Sequence, residues 1–475
     1  MRQVVIVGAG PAGLAAARAA RGAGADVVLL DSSDALGGQF WRHLPESRPS
    51  QHEKRLHHGW DRFRELRDSL EADPRVRIVR GGQVWAIETF AGVAVHVVVG
   101  ESDGALRDRE VFAPDALVLA TGAHDRTLPF PGWDLPGVFT GGAAQALAKG
   151  ERIAVGQRVI VAGAGPFLLP VAQSLASTGS TVLAVLEANS AGSIIRGWSR
   201  RPWELIPASG KGMELVGYAA GQLRHRIPYR TGRAVVAAHG TDRVESVTVA
   251  ALNADWSPIP GSEQRVEVDA VCVSHGFTPR LELAVAAGCD LSGEGFVVVD
   301  DDQLTSTPGV YAAGEITGIG GVDLAIAEGE IAGRHAGGAL GGAASARRRR
   351  RVFTGFAKRI EAAHGIKPGW TGWLTEPTIV CRCEEVTCGA IRQAARTTRS
   401  ESLRSLKLTT RAGLGICQGR MCGRTVEDLL GAASTEGSLQ DDASPHRRPI
   451  AFPLRLGELA DPTRQLEHET SKGTQ

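Results

Sequence analysis

The sequence predicts an α/β protein with two dinucleotide-binding units and a small, mainly helical C-terminal unit. Two segments, starting at Gln3 and at Arg158, each run from a β-branched stretch through a glycine-rich turn into a stretch of good helix propensity. Near the C-terminus, four cysteines occur as two close pairs, in CRC and in CQGRMC. Strand, glycine turn and helix in this order are typical of Rossmann-like domains, and paired thiols of this kind point to a metal centre.

The first turn, GAGPAG, has the spacing of a dinucleotide site. Gly8 permits the turn, Gly10 lets the backbone approach a pyrophosphate, and Gly13 lets the helix lie close to the strand. The phosphates are expected at the helix N-terminus, where free amides and the helix dipole meet negative charge. The next strand, Asp26 to Leu30, ends at Asp31, which we expect to bind the ribose hydroxyls.

Three further segments resemble flavoproteins of the glutathione reductase type. The stretch GGQ is similar to the second glycine pair that those proteins place beside FAD, and LVLATG to the strand and turn that leave their FAD domain. The stretch TPGVYAAGE is similar to the returning strand, in which an acid, Asp in most relatives, contacts the ribityl chain. The resemblance implies FAD as a cofactor, contacted from these segments by Gly38, Gln39, Thr121, Gly122, Gly314 and Glu315.

The second turn, GAGPFL, lies between LVLATG and TPGVYAAGE. The strand Arg158 to Ala162 leads into Gly163 and Gly165, and the following strand, Thr181 to Leu186, ends at Glu187. This order predicts an inserted NAD(P)-binding-like domain. If Glu187 meets a ribose, it favours NAD over NADP, because a carboxylate repels a 2′-phosphate.

The second turn departs from the dinucleotide pattern at its third position. Leu168 stands where Gly or Ala normally allows the helix to pack closely on the strand. Pro170 removes an amide from the opening turn of the helix. We expect the domain to fold like the first one, while its binding of NAD(P) is left open.

Composition limits the classes of partner. Of the 475 residues, 53 are Lys or Arg and 52 are Asp or Glu, so a nucleic-acid partner is not expected. The run Arg347 to Arg351 follows a Gly/Ala-rich stretch and is interpreted as a solvated linker. No apolar run approaches the roughly 20 residues of a membrane helix. The start MRQVVIVGAG enters a strand rather than an export signal, which predicts a cytoplasmic protein with reduced thiols.

The four paired cysteines favour an iron–sulfur cluster, which needs thiolates converging on one point. Zinc is one alternative, although zinc sites usually space their ligands C-x2-4-C and the first pair here encloses one residue. A redox-active disulfide is another, although disulfide reductases carry theirs after the first glycine turn, where this chain has no Cys. Cys272, Cys289 and Cys388 are interpreted as small core residues.

Thr387 is expected to cap a helix through Ala395, with another helix over 424–430.

Residues 378–425, with CRCEEVT, KLTTRAGLG and CQGRMCG, resemble the 2Fe-2S domain related to bacterioferritin-associated ferredoxin, in its longer-spaced version fused to flavoproteins. With GAGPFLLPVAQSLA and TPGVYAAGEITGIGGVDLAIAEGEIAG, they make the chain similar to a family that includes the opine oxidase A subunit, the hydrogen cyanide synthase B subunit and the α subunits of proline and hydroxyproline dehydrogenases. The resemblance implies a 2Fe-2S cluster bound by Cys381, Cys383, Cys417 and Cys422.

This resemblance implies a division of labour. A separate FAD-containing β subunit, similar to glycine or D-amino-acid oxidase, oxidises a C–N bond, and the α subunit relays the electrons through FAD and cluster. A small additional subunit can accompany the two. No His or Glu of this chain lies in a motif that assigns it acid–base work, and His124 and His275 are interpreted as structural. The alternatives are a self-sufficient NAD(P)H-dependent reductase, and a zinc-binding or redox-sensing module.

We expect a discontinuous FAD domain, an inserted NAD(P)-binding-like domain, a linker, a 2Fe-2S domain and a tail. Their ranges are 1–150 with 276–342, 151–275, 343–375, 376–432 and 433–475. Within the tail, RRPIAFPLRLGELA is expected to dock on a partner or to be disordered. The substrate, chosen by the partner, is not predicted.

Overall fold

The computed structural model describes residues 2–45, 47–48, 53–101, 104, 107–200, 209–400, 402–433 and 450–460. The chain divides into two compact units. Unit one comprises the described parts of Met1–Ala123, Pro279–Thr354 and His446–Gln475, and unit two those of His124–Thr278 and Gly355–Pro445. None of the helices in the described ranges is both long and apolar enough to cross a membrane.

Unit one is built on a five-stranded parallel sheet. From edge to edge its strands are Val310–Ala312 (β18), Ala116–Leu119 (β7), Gln3–Val7 (β1), Asp26–Leu30 (β2) and Val76–Val79 (β3). An antiparallel sheet consists of Gly82–Glu88 (β4), Ala94–Val99 (β5) and Asp108–Phe112 (β6). The helices are Pro11–Gly22 (α1), Glu53–Leu56 (α2), Trp60–Glu71 (α3), Glu282–Ala286 (α8), Val322–Ala336 (α9) and Leu456–Ala460 (α14).

Strand β1 is apolar almost throughout because both faces of its sheet are covered. Val4 and Ile6 belong to one hydrophobic core with α1, α3 and α9, and Val5 and Val7 belong to a second core with α8. The bounds of β1 and β2 are those that the sequence predicts. Helix α1 begins directly after Gly10, with Pro11 at its first position, where a missing amide hydrogen costs nothing.

Helix α9 crosses α1 at very short range. A Cβ atom on Gly329 would lie 2.1 Å from the carbonyl oxygen of Ala12, and one on Gly333 would lie 2.0 Å from that of Ala16. The two backbones are therefore in contact with no side chain between them. This contact fixes the position of the N-terminus of α1.

Unit two contains a second five-stranded parallel sheet. From edge to edge its strands are Tyr229–Thr231 (β12), Thr181–Glu187 (β11), Arg158–Gly163 (β10), Ala270–Ser274 (β16) and Val138–Thr140 (β9). An antiparallel sheet consists of Arg233–His239 (β13), Ser246–Ala251 (β14) and Gln264–Glu267 (β15). Its helices are Gly141–Ala146 (α4), a π-helical turn Leu147–Glu151, Leu168–Ser177 (α5), Ala191–Ser199 (α6) and Ser209–Arg224 (α7). The chain passes between the units at Ala123–Asp125 (β8) and Phe277–Pro279 (β17).

The cysteine-containing region belongs to unit two. It consists of a 3₁₀ turn, Pro368–Trp373, a hairpin of Ile379–Cys381 (β19) and Val386–Thr387 (β20), and the helices Cys388–Thr398 (α11), Leu403–Thr410 (α12) and Gly423–Ala433 (α13). The side chain of Thr387 accepts a hydrogen bond from the amide of Ala390, as an N-cap does. The two helices predicted here are thereby confirmed, each a few residues longer than expected.

The arginine run lies on a helix, Ala344–His364 (α10), and is not a solvated linker. Arg347 pairs with Asp302, Arg349 pairs with Glu330, and Arg350 lies 3.7 Å from buried Glu328. The expectation is wrong because acids on neighbouring loops and on α9 line one side of this helix. Charge composition does not reveal such partners.

The tail segment 450–460 packs on unit one of its own chain. The amide of Ala451 donates to the carbonyl of Trp85, and Arg107 Nε lies 2.6 Å from Glu458 Oε1, with both side chains buried. The side chain of Arg107 lowers the pKa of Glu458 to about 2. The expected disorder is therefore wrong for these residues, docking on a partner stays a prediction, and 447–449 lie outside the described ranges.

Replacing Gly333 by Ala should weaken unit one, because the added methyl group would force α1 and α9 apart. We expect a loss of about 1–3 kcal/mol, typical of an overpacked core, together with earlier release of FAD on heating. Flavin fluorescence during thermal unfolding measures both. Gly355→Ala is the matched control, since Gly355 lies inside α10 and its Cβ would meet nothing within 4 Å. This control should be neutral or stabilising by up to about 1 kcal/mol; equal effects of the two variants would contradict the argument.

Replacing Glu458 by Gln should release residues 450–460. A carboxyl pKa that falls from about 4.3 in the unfolded chain to about 2 means that the ionised carboxylate stabilises the folded tail. Because the folded pKa is the lower one, this stabilisation is complete above pH 4.3 and is lost as the pH falls toward 2. Hydrogen exchange of residues 450–460 should therefore differ between wild type and variant at pH 7, and the difference should shrink below pH 4.

The exposed pair Arg18–Glu65 provides the control for this experiment, with Glu65 70% exposed. Glu65→Gln should change exchange of residues 450–460 at neither pH, since exposed ion pairs contribute about 0–1 kcal/mol. Equal protection of residues 450–460 in wild type and Glu458→Gln at pH 7 would show that the pair does not hold the tail.

Candidate functional site

The first glycine-rich turn forms a cradle at the N-terminus of α1. A Cβ atom on Gly13 would lie 1.7 Å from the carbonyl oxygen of Gly8, so only glycine allows α1 to come this close to β1. A Cβ on Gly10 would have Gly38 Cα, at 4.0 Å, as its nearest neighbour, so that side of the turn is open. Helix α1 has no side-chain cap and no acid in its first turn. Its first amides are thus directed at the position where a pyrophosphate binds.

The acid predicted for the ribose lies at the same cradle. Asp31 Oδ2 accepts from the amide of Ala9 at 2.6 Å and Oδ1 from that of Ser33 at 2.8 Å, while the side chain stays partly exposed. The bond from Ala9 ties the carboxylate to the glycine turn, and its partial exposure leaves it accessible to a ligand. Gly38 contacts Gly10, and Gln39 beside it is exposed. These residues are therefore brought together as the sequence predicts for an FAD site.

The other expected FAD contacts lie on loops next to β7 and β18. Thr121 Oγ1 donates to the carbonyl of Arg280 at 2.7 Å, and the carbonyl of Gly122 accepts from the amide of Arg280. Gly314 lies against α1, since its Cβ would be 2.9 Å from that of Ala12. Gly314 is thus close to the cradle, whereas Thr121 is bonded to the segment that follows β17, at Arg280.

Glu315 is occupied by backbone donors. Its Oε1 accepts from the amide of Gly321 at 2.8 Å, and burial raises its pKa to about 7. Its ribityl contact remains a prediction. A second acid, Glu328, holds the same turn from α9: its Oε2 accepts from the amide of Gly314 at 2.9 Å and from Thr317 Oγ1 at 2.7 Å. No sequence motif identifies Glu328, because Glu328 and Glu330 both lie in a helix rich in small residues that matches no site pattern.

The second glycine-rich turn has a different arrangement. Gly163 ends β10, Gly165 has open space around its Cα, and α5 begins only at Leu168. Glu187 is fully buried, and its Oε2 accepts from the amide of Gly165 at 2.8 Å. The structure therefore brings Gly165 and Glu187 together, but it leaves the acid no exposed face.

The four paired cysteines converge in unit two. Thiol hydrogen bonds link Cys422 to Cys381 and to Cys417, and Cys417 to Cys383. Cys381 and Cys422 are buried, Cys417 is half-buried and Cys383 is exposed. Among the described residues, no three His, Cys, Asp or Glu side chains meet in an arrangement for a single metal ion. In a cluster of two irons and two sulfides, each iron takes two protein thiolates, and the donors present fit that need.

Donors around two of these sulfurs, those of Cys381 and Cys417, favour the thiolate, which is the form that binds a metal. The hydrogen bond from Cys422 and the amides of Gly413 and Glu384 lower the pKa of Cys381 to about 6. Cys422 likewise lowers the pKa of Cys417. Close approach of the two cysteine loops requires Gly415, whose Cβ would lie 2.2 Å from that of Cys383.

The remaining cysteines and the two histidines have structural positions. Cys272, Cys289 and Cys388 are buried among core side chains. His275 is buried, and burial lowers its pKa to about 3, so it stays neutral. His124 Nε2 lies 2.8 Å from the carbonyl oxygen of Arg420, inside the CQGRMC loop. His124 thus holds the loop that carries two of the cysteines, a contact that the sequence does not reveal.

Comparison with protein families finds two matches. The family model described as pyridine nucleotide-disulphide oxidoreductase matches residues 2–329, and that of the BFD-like [2Fe-2S] binding domain matches residues 379–432. The A subunit of opine oxidase from Rhizobium meliloti is 32% identical, over 98% of this chain and 88% of the relative. The hydrogen cyanide synthase subunit HcnB of Pseudomonas protegens is 31% identical, over 90% and 92%.

Among solved structures, L-proline dehydrogenase from P. horikoshii has a TM-score of 0.68 at 20% identity, covering 97% of this chain and 79% of that one. At this identity the likeness shows the fold alone. The predicted fold is confirmed, with its two dinucleotide-binding-like units and small 2Fe-2S domain. The cofactors FAD and 2Fe-2S are confirmed by the same family matches; which residues bind them stays a prediction.

Replacing Cys417 by Ala should remove the cluster, because one iron would lose a thiolate. We expect iron and acid-labile sulfide to fall from about two of each per chain to a small remainder, with loss of the cluster's visible absorption. Cys388→Ala is the matched control: Cys388 is buried in the same region, yet it takes no part in the thiol contacts. The control should keep its iron. Iron retained in Cys417→Ala, or lost equally in Cys388→Ala, would contradict the ligand assignment.

Proposed function

Because this chain belongs to the pyridine nucleotide-disulphide oxidoreductase family and is an FAD-dependent oxidoreductase, we propose that it is the electron-transfer subunit of a heteromeric amine, imino-acid or opine dehydrogenase. A substrate-oxidising flavoprotein partner delivers the electrons, and this chain relays them onward. The FAD and the 2Fe-2S cluster supply the redox chemistry of this relay when bound, and the residues of this chain bind and orient them.

One observation carries the proposal: the similarity to the A subunit of opine oxidase extends over both the flavin unit and the cluster domain. A relative named as a subunit, matched over 88% of its length, favours the same division of labour here. The alpha subunit of sarcosine oxidase from Corynebacterium matches a smaller part, 59% of this chain at 29% identity. Its name also describes one part of an enzyme acting on a C–N bond.

The local geometry supports a relay. Within unit two, His124 Nε2 contacts the CQGRMC loop at the carbonyl oxygen of Arg420. Arg126 Nη2 pairs with Asp428 of α13 and adds a second contact to the cluster domain. His275 is neutral and buried, and His124 is used in positioning. Neither histidine is therefore available as a substrate base, which agrees with substrate oxidation in a partner.

The partner expected is an FAD-containing β subunit similar to glycine or D-amino-acid oxidase, with or without a small third subunit, and the expected location is the cytoplasm. The substrate class follows the partner, because its flavin would take the hydride from the C–N bond. We expect neither a nucleic acid nor a membrane as a partner of this complex.

Turnover with an artificial dye tests the relay. The purified chain alone should not reduce the dye when an opine, an imino acid or sarcosine is added. The complex isolated from its native source should reduce the dye with at least one of these substrates. Cys417→Ala in that complex should still allow substrate to bleach the partner's flavin, while reduction of an acceptor that needs the cluster should fall at least tenfold. Full-rate amine oxidation by the isolated chain would overturn the proposal.

A further inference from the structure

The acids that follow the two glycine-rich turns, Asp31 and Glu187, differ strongly in their exposure to solvent. Asp31, after the first turn, is partly exposed and accepts hydrogen bonds from the amide of Ala9 in that turn and from the amide of Ser33 in its own loop. Glu187, after the second turn, has no exposed surface. A dinucleotide's ribose hydroxyls need an accessible acceptor at this position. The first turn therefore fits its nucleotide, and the second does not fit NAD(P).

The hydrogen-bonding capacity of Glu187 is used by this chain itself. Oε1 accepts from the amide of Asn189 at 2.9 Å and from its side-chain nitrogen at 3.1 Å. Oε2 accepts from the amide of Gly165 at 2.8 Å, from Tyr229 Oη at 3.3 Å and from His364 Nδ1 at 3.0 Å. Five donors leave no room for a ribose diol.

The decisive donor, His364, ends helix α10 and is itself oriented by a neighbour. Trp198 Nε1 donates to His364 Nε2 at 3.3 Å, which assigns the ring proton to Nδ1 and directs it at Glu187. Arg359 Nη2, one and a half turns earlier, donates to the carbonyl of Arg200 at 2.8 Å. The C-terminal half of α10 is thus held on α6 and on the end of β11.

The helix start after the second turn is also altered. The amides of Leu168 and Leu169 donate to the carbonyls of Gly165 and Pro166, so both are consumed by the turn. Leu168 occupies the third glycine position, its side chain is buried in a core with residues of β10, and α5 starts three residues after Gly165, whereas α1 starts one residue after Gly10. Amides that would meet a pyrophosphate are thereby lost.

The segment after His364 continues the same attachment. Trp373 Nε1 donates to the carbonyl of Trp256 at 2.9 Å, and Trp256 Nε1 donates to Asn189 Oδ1 at 3.3 Å. One hydrophobic core contains Ala164 of the second turn, Ala188 after β11, and the cluster-domain residues Cys381 and Cys422. The end of the second parallel sheet at which a nucleotide would bind therefore packs against the cluster domain and supports it.

We infer that the second dinucleotide-binding fold no longer takes NAD(P), and that Glu187, its ribose acid, instead anchors the helix leading to the cluster domain through His364. His364 is a positioning residue in this arrangement. The inference concerns a site that the proposed relay does not use, and it is tested by binding and exchange measurements rather than by turnover.

Hydrogen exchange of the intact, cofactor-loaded chain measures the anchor. His364→Ala and Glu187→Gln should each speed exchange in residues 355–374 by about tenfold, the factor expected for loss of one hydrogen bond to a charged group. The double variant should exchange no faster than the faster single one, since both changes remove the same bond. His364→Asn, whose side-chain amide can reach Glu187 from the Nδ1 position, should restore most of the protection.

His225→Ala is the matched control, because His225 is an exposed histidine of the same unit. It should leave exchange in residues 355–374 unchanged. Calorimetric titration of the wild-type chain with NADH and NADPH up to about 1 mM, the upper end of ordinary enzyme affinities, should give no binding. NADH binding that Glu187→Gln weakens would overturn the inference, as would exchange in His364→Ala equal to that in His225→Ala.

Discussion

The tightest constraint in this molecule is the contact of backbone with backbone at the first glycine-rich turn. Gly13 lets α1 touch the end of β1, and Gly329 and Gly333 let α9 touch α1 on its other side. With both contacts in place, the N-terminus of α1 can occupy one position only, and its free amides are fixed where a pyrophosphate binds. Asp31 and the loop around Gly38 are then arranged about that point, so the predicted flavin site depends on glycines, which have no side chain, at these positions.

The second glycine-rich turn carries a side chain, that of Leu168, at the position equivalent to Gly13. Leu168 takes the place of the third glycine, the first amides close on their own turn, and the acid after the next strand is fully buried, whereas Asp31 is partly exposed. A buried carboxylate without partners would be costly, and His364 and Asn189 satisfy it from within the chain. The presence of Leu168 in the six-residue motif is thus linked to a different role for this edge of the sheet, where Glu187 binds residues of its own chain.

Local features of this fold were predictable from sequence, and pairings across long distances were not. The bounds of β1 and β2 and the cap at Thr387 follow from β-branched runs and from a short-range hydrogen bond. By contrast, Glu187 meets a histidine 177 positions away, and Arg107 meets Glu458 across 351 positions. Such partners depend on how helices and tails return to a sheet, which periodicity does not encode. The arginine run was misjudged for the same reason.

A dinucleotide-binding domain that no longer binds a nucleotide is expected to be lost in evolution unless it has another role. Here the core that contains Ala164 and Ala188 also contains Cys381 and Cys422, so the sheet of unit two and the cluster domain share buried surface. Loss of that sheet would expose apolar area and would also move His124 and Arg126 away from the cluster domain. The second dinucleotide-binding fold would then be retained as the structural support of the cluster domain.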